Sequence, residues 1–231
     1  MFGYGYYGIG FQYMYYIIPG LLLAMFAQSK INSTYEKYRR IDSNTGLTGA
    51  DVARLIMDRN NLRDVRIQMI GGKLSDNYDP ENKVLNLSSD IYSGRSIAAL
   101  GIAAHEVGHA IQHERGYIPL KIRAALVPAA NIGSNLSMIF IMMGLFFSAF
   151  MIKLGIAMFA IAVLFQIVTL PVEFDASRRA QAELSNNILS VDALVGTKEV
   201  LSAAALTYVA STLIALGQLF RLLALFGKRR D

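Results

Sequence analysis

The sequence contains no cysteine. That excludes disulfides and thiolate metal sites, and it leaves the redox compartment unmarked. It is also short of charge: 17% of its 231 residues are Asp, Glu, Lys or Arg, against 54% hydrophobic residues. Soluble domains carry roughly a quarter charged residues, so this deficit points to a membrane protein. Histidine is scarce as well. There are three, all within "AAHEVGHAIQH" at positions 103–113. The net charge of +5 comes from basic residues flanking apolar runs. That placement suits the cytoplasmic side of a bilayer better than nucleic acid, and no nucleic-acid partner is expected.

Four apolar segments approach the roughly 20 residues that a spanning helix needs. They run from about Gly8 to Ala27, Asn131 to Ile152, Leu154 to Val172 and Val200 to Phe220. Lys153 alone separates the second from the third, so a turn is expected there. No basic residue precedes the first segment, which argues against a secretory signal. Lys30, Lys37, Arg39 and Arg40 follow it, placing the N-terminus outside and the next loop in the cytoplasm. The run "YGYYGIGFQYMYY" puts tyrosines at the outer interface. Four crossings place the basic end "GKRRD" outside, against the same rule, unless the fourth segment does not cross fully.

The expected division is an N-terminal transmembrane helix (1–28), a cytoplasmic body (29–130), a transmembrane hairpin (131–172), a polar helix and loop (173–199), and a C-terminal transmembrane helix with a basic tail (200–231). Within the body, "LTGADVARLIMDRNNL" reads as a short helix stopped by Asn60–Asn61. "DVRIQMI" and Lys83–Leu87 read as two strands. Asp79–Pro80–Glu81–Asn82 has turn chemistry. A helix then runs from Gly94 to Gly116. The fold class is a mainly α membrane protein containing a small β element.

His105-Glu106-Val107-Gly108-His109 is H-E-x-x-H. Histidines at i and i+4 of a helix share a face and bind one metal, and the intervening glutamate reaches a water at that metal. Zinc polarises a carbonyl and acidifies water, and Glu106 accepts the proton and passes it to a leaving amine. Without a metal, two histidines and a glutamate in an apolar helix would lack partners, which is costly. His113 lies eight residues past His105, a rise of about 12 Å, too far for both to reach one ion, so His113 is a bystander or a substrate contact. The third ligand is then a carboxylate. After two membrane crossings the chain returns in "PVEFDASRRA", so Glu173 re-enters on the same side as His105 and His109. Glu81 and Asp90 rank below it. Glu173 is expected to start a helix just after Pro171.

Taken together, "AAHEVGHAIQH", "PVEFDASRRA", "KLSDNYDP", "YSGRSIAALG" and "ALVPAANIGSN" resemble the YugP-like family of membrane zinc metallopeptidases, over nearly the whole chain. More distantly the layout resembles HtpX and the CAAX-prenyl endopeptidases. The resemblance implies a zincin-like (gluzincin) metalloprotease core, Zn2+ held by His105, His109 and Glu173, Glu106 as catalytic base, and a multi-pass place in the bacterial cytoplasmic membrane. The HtpX-like pattern has an aspartate four residues after the third ligand, to support a zinc histidine. Here that position is Ser177, and the acid is Asp175.

The expected activity is zinc-dependent endopeptidase cleavage of peptides or membrane proteins near the cytoplasmic face of the bilayer. Strand Lys83–Leu87 is a candidate to receive substrate as an added strand. Arg178, Arg179, Tyr92 and Tyr208 are candidates for stabilising the oxyanion. Two alternatives remain: a site-2-type intramembrane protease, and a zinc-binding membrane scaffold or chaperone without protease activity.

Overall fold

A computed structural model describes residues 13–227. Most of the tyrosine-rich run and of the basic tail lie outside the described residues. After a 3-10 turn the chain forms α1 (Ile18–Tyr38), α2 (Gly49–Arg59), β1 (Arg66–Ile70), β2 (Asn77–Asp79), β3 (Val84–Ser88), α3 (Ser89–Tyr92), α4 (Ile97–Glu114), α5 (Ile118–Phe146), α6 (Ala149–Ser185) and α7 (Val191–Phe226). Among the described residues, four stretches are long and apolar enough to cross a membrane: Met14–Tyr38, Ile118–Phe146, Ala149–Ser185 and Val191–Phe226. The chain divides into two compact units. Among the described residues, one comprises 28–121 and 171–206, and the other takes 13–27, 122–170 and 207–227.

The first unit is built around α4. Ser96 caps this helix by accepting from the Ala99 amide at 3.2 Å, and Gly116, at a left-handed φ of 62°, follows its end. Ala98, Leu100, Ala103, Val107 and Ala110 are fully buried, as are Val52, Ala53, Ile56 and Met57 of α2 in the same core. Thr48 and Asp51 form a reciprocal capping box at the start of α2, satisfying amides that the first helical turn leaves over. Asn60 closes that helix, and Asn61 takes a left-handed φ of 61°.

The sheet has three strands where the sequence suggested two. Its order is β1-β3-β2, with β1 parallel and β2 antiparallel to β3. The extra strand pairs Asn77 with Asn86 and Asp79 with Val84. It is set by the turn after it, where Asp79 Oδ1 accepts from the amides of Glu81 and Asn82 at 2.9 and 3.1 Å. The sequence "NYD" is too short and polar to show strand alternation by itself. Because β3 is central, both its edges are paired, and it cannot receive a substrate as an added strand. The free edges belong to β1 and β2.

The second unit consists of apolar helical segments in close contact. A Cβ on Gly133 would lie 2.5 Å from the Met158 carbonyl oxygen, and one on Gly155 would lie 2.6 Å from that of Ser137. Small residues at such points let helix backbones touch, which is how helices associate in lipid. The break between α5 and α6 falls at Phe147–Ser148 rather than Lys153. Ser148 starts α6 by accepting from the Phe150 amide through its hydroxyl at 3.2 Å and from Met151 through its carbonyl at 3.1 Å. Lys153 lies inside the helix. Pro171 also lies inside α6, so Glu173 does not begin a helix but continues one. Proline removes a single helical hydrogen bond, and neighbours can compensate for that in such helices. The polar stretch after Asn187 likewise runs into the last apolar helix without a break, as α7.

Candidate metal centre

His105 and His109 project from one face of α4, one turn apart, with their rings edge to face and centroids 4.8 Å apart. Both aim Nε2 at the same atom. Glu173 Oε2, on α6, lies 3.3 Å from His105 Nε2 and 3.7 Å from His109 Nε2. One ligating atom from each of the three residues falls within 4.8 Å of the others. Glu173 is only 2% exposed. All three side chains belong to the unit that contains the sheet.

This close approach depends on Gly108. A Cβ there would sit 2.6 Å from the carbonyl oxygen of Ala176 and 3.1 Å from its Cα. The backbones of α4 and α6 therefore touch beside His109 and one turn from Glu173. No side chain larger than hydrogen fits.

The other ring nitrogens are engaged away from the centre. His105 Nδ1 lies 3.1 Å from the Ser177 hydroxyl. His109 Nδ1 lies 3.1 Å from Gln112 Oε1. Gln112 in turn donates from Nε2 to the Val172 carbonyl at 2.8 Å and to Asp175 Oδ2 at 3.0 Å. Asp175 also pairs with Arg178 and Arg179.

The three side chains fit zinc. Tetrahedral bonds of about 2.0–2.1 Å place ligand atoms roughly 3.3 Å apart, close to the separations seen here. The donor set, two imidazoles and a carboxylate, is one that catalytic zinc uses while keeping a position open. The outward hydrogen bonds of Nδ1 are those that orient metal-binding histidines. Glu106, next to His105 on α4, is half-buried. Burial pushes its carboxyl above the usual carboxylate range, and the two neighbouring imidazoles offset part of that rise. A carboxylate raised in this way is a stronger base than a free one, the direction that general-base chemistry needs.

His113 is exposed and stands apart from this group. Its Nδ1 lies 2.9 Å from the hydroxyl of Tyr78 on β2. Burial pushes the Tyr78 phenol up to about 12, so it stays protonated, and it donates or accepts according to the tautomer of His113. Glu81 lies in the turn after β2, and Asp90 lies in α3. Among the described residues, the metal-capable group is His105, His109 and Glu173. Of the oxyanion candidates, Arg178 and Arg179 are drawn to Asp175. Tyr92 packs against the core, and Tyr208 belongs to the other unit. Gln112 was not evident as a site residue from the sequence. The sequence offered only its position three residues past His109; its burial and its partners Val172 and Asp175 come from the fold.

A helical protein with four membrane-length helices among its described residues and two half-buried histidines facing a buried carboxylate has the parts of a membrane metallohydrolase. The chain belongs to the family described as "Putative neutral zinc metallopeptidase", which its residues 13–227 match. Zinc is the metal of that family. The chain is 42% identical over 221 residues to the "Putative membrane protease YugP" of Bacillus subtilis (strain 168), covering 95% of this chain and 98% of that protein. No solved structure matches it.

Proposed function

We propose that this protein is a membrane-embedded endopeptidase in which His105, His109 and Glu173 hold zinc and Glu106 is the general base. The observation that carries this reading is the convergence of both Nε2 atoms on Glu173 Oε2, with Glu106 on the next position of the same helix. Zinc, when bound there, supplies the Lewis acid that polarises a peptide carbonyl and acidifies water. Glu106 takes a proton from the attacking water as its oxygen bonds to the carbonyl carbon. It then delivers that proton to the departing amine nitrogen as the C–N bond breaks. The products are a carboxylic acid and an amine, the acid then passing its proton to the amine to give carboxylate and ammonium, and Glu106 ends in its starting state.

Substrates are peptides or membrane proteins approached from the cytoplasmic side. Lys30, Lys37, Arg39 and Arg40, in the last part of α1 and just beyond it, support that orientation. Glu173 directly follows the apolar run 154–172, which supports a site at the membrane face. A site-2-type intramembrane arrangement is disfavoured because α4, which bears H-E-x-x-H, is not one of the four membrane-length helices and shares its unit with the sheet. A non-catalytic zinc scaffold has no need of Glu106. Glu106→Gln is therefore expected to keep zinc and abolish cleavage of a casein or membrane-protein substrate in detergent. Cleavage at the wild-type rate would reject the enzymatic reading.

A further inference from the structure

We propose that Gln112 and Asp175 act as a positioning relay that fixes the tautomer and ring orientation of His109. The inference rests on the zinc-site reading above and deepens it.

Gln112 is completely buried on α4. A buried amide is costly unless its donors and acceptor are used, and each is used here. Val172 O and Asp175 Oδ2 lie 2.8 and 3.0 Å from Nε2. A backbone carbonyl and a carboxylate only accept, so the NH2 end of the amide must face both of them. The oxygen end is thereby turned to His109 Nδ1 at 3.1 Å. An amide oxygen only accepts, so Nδ1 carries the hydrogen. The lone pair of His109 then resides on Nε2, the atom aimed at Glu173.

Asp175 starts this chain of constraints. It is 5% exposed, and two arginines, Arg178 and Arg179, hold it as a carboxylate. The other ligand is treated differently. Ser177 meets His105 Nδ1 at 3.1 Å, and a hydroxyl can donate or accept, so it leaves the tautomer of His105 open. The chain thus lacks an aspartate at 177 yet still directs a carboxylate to a ligand histidine. It does so through an intervening amide.

The test is zinc affinity, read by chelator competition on the full-length protein in detergent, with thermal unfolding as a folding control. Asp175→Asn and Gln112→Glu keep shape but break the polarity of the relay. The asparagine removes the charge that polarises the amide and leaves the Val172 carbonyl as the one obligate acceptor that orients it, and the glutamate faces Asp175 as a like charge and sets an oxygen against that carbonyl. Each is expected to weaken zinc binding about 10–100-fold, the usual cost of losing an outer partner of a metal ligand. The double variant Gln112→Glu/Asp175→Asn restores an acceptor for His109 Nδ1 and an amide donor opposite it. It removes the like-charge pair while the Val172 carbonyl still meets an oxygen at position 112, so it is expected to bind zinc more tightly than Gln112→Glu alone. A purely space-filling role predicts no such rescue. Wild-type affinity in Asp175→Asn, or a double variant as weak as Gln112→Glu, overturns the relay. Glu173→Ala in the same series separates the two claims. If it loses zinc while Asp175→Asn does not, the relay alone fails. If it retains zinc, the site reading fails and the relay with it.

Discussion

Replacing Gly108 with alanine probes how tightly the centre depends on helix contact. The new Cβ would lie 2.6 Å from the Ala176 carbonyl oxygen and 3.1 Å from both the carbonyl carbon and Cα of Ala176. These atoms are backbone and cannot rotate away, so α4 and α6 must part by roughly 0.8 Å to restore ordinary contact of about 3.4–4 Å. Overpacking of this kind costs about 1–3 kcal/mol. Removing a mid-helix glycine returns about 0.5–1 kcal/mol. The net effect is destabilisation of about 1 kcal/mol or somewhat more, a modest drop in thermal midpoint. The effect on the metal is larger. Zinc sites hold their distances within about 0.2 Å, and Glu173 lies on the helix that must move away from His105 and His109. The expected result of Gly108→Ala is a folded protein with strongly weakened zinc binding, measured by chelator competition beside thermal unfolding. Unchanged zinc affinity together with a raised midpoint would refute the close-contact argument, because it would show that the helices have room.

Two further outcomes follow from the same geometry. His113→Ala should leave zinc content unchanged, since His113 bonds Tyr78 instead of the metal group, and should cost about 0.5–1.5 kcal/mol of stability for the lost hydrogen bond; loss of zinc would make His113 a ligand. The sequence has no cysteine, so a single Asn187→Cys substitution reports orientation without background. Labelling by a membrane-impermeant maleimide only after the cells are opened is expected, and labelling of intact cells would reverse the proposed topology.

The grouping of His105, His109 and Glu173 that the structure shows was legible because two independent regularities pointed to these residues. The i, i+4 histidines required one helix face, and the lack of further histidine or cysteine required a carboxylate. Glu173 followed from counting apolar segments, which survives errors in where they end. Those errors were real. Lys153 looked like a turn because it is the lone charge between two apolar runs, yet Ser148, with a hydroxyl that bonds the Phe150 amide, makes the turn. Pro171 looked like a helix start because proline favours the first turn, but its single missing N–H does not stop α6. Strand β2 was hidden because its pairing comes from the Asp79 turn and not from its own three residues. The role of Gln112 lay beyond one-dimensional reading, since Val172 and Asp175 reach it from about sixty residues away.

The most direct test of the account is the zinc content of wild type beside Glu173→Ala, both purified intact and dialysed against the same weak chelator. In the proposed site two ligands come from α4 and the third from α6. The account predicts that wild type retains one zinc per chain and that the variant loses it. Full retention by Glu173→Ala would contradict the central claim that His105, His109 and Glu173 together hold the metal.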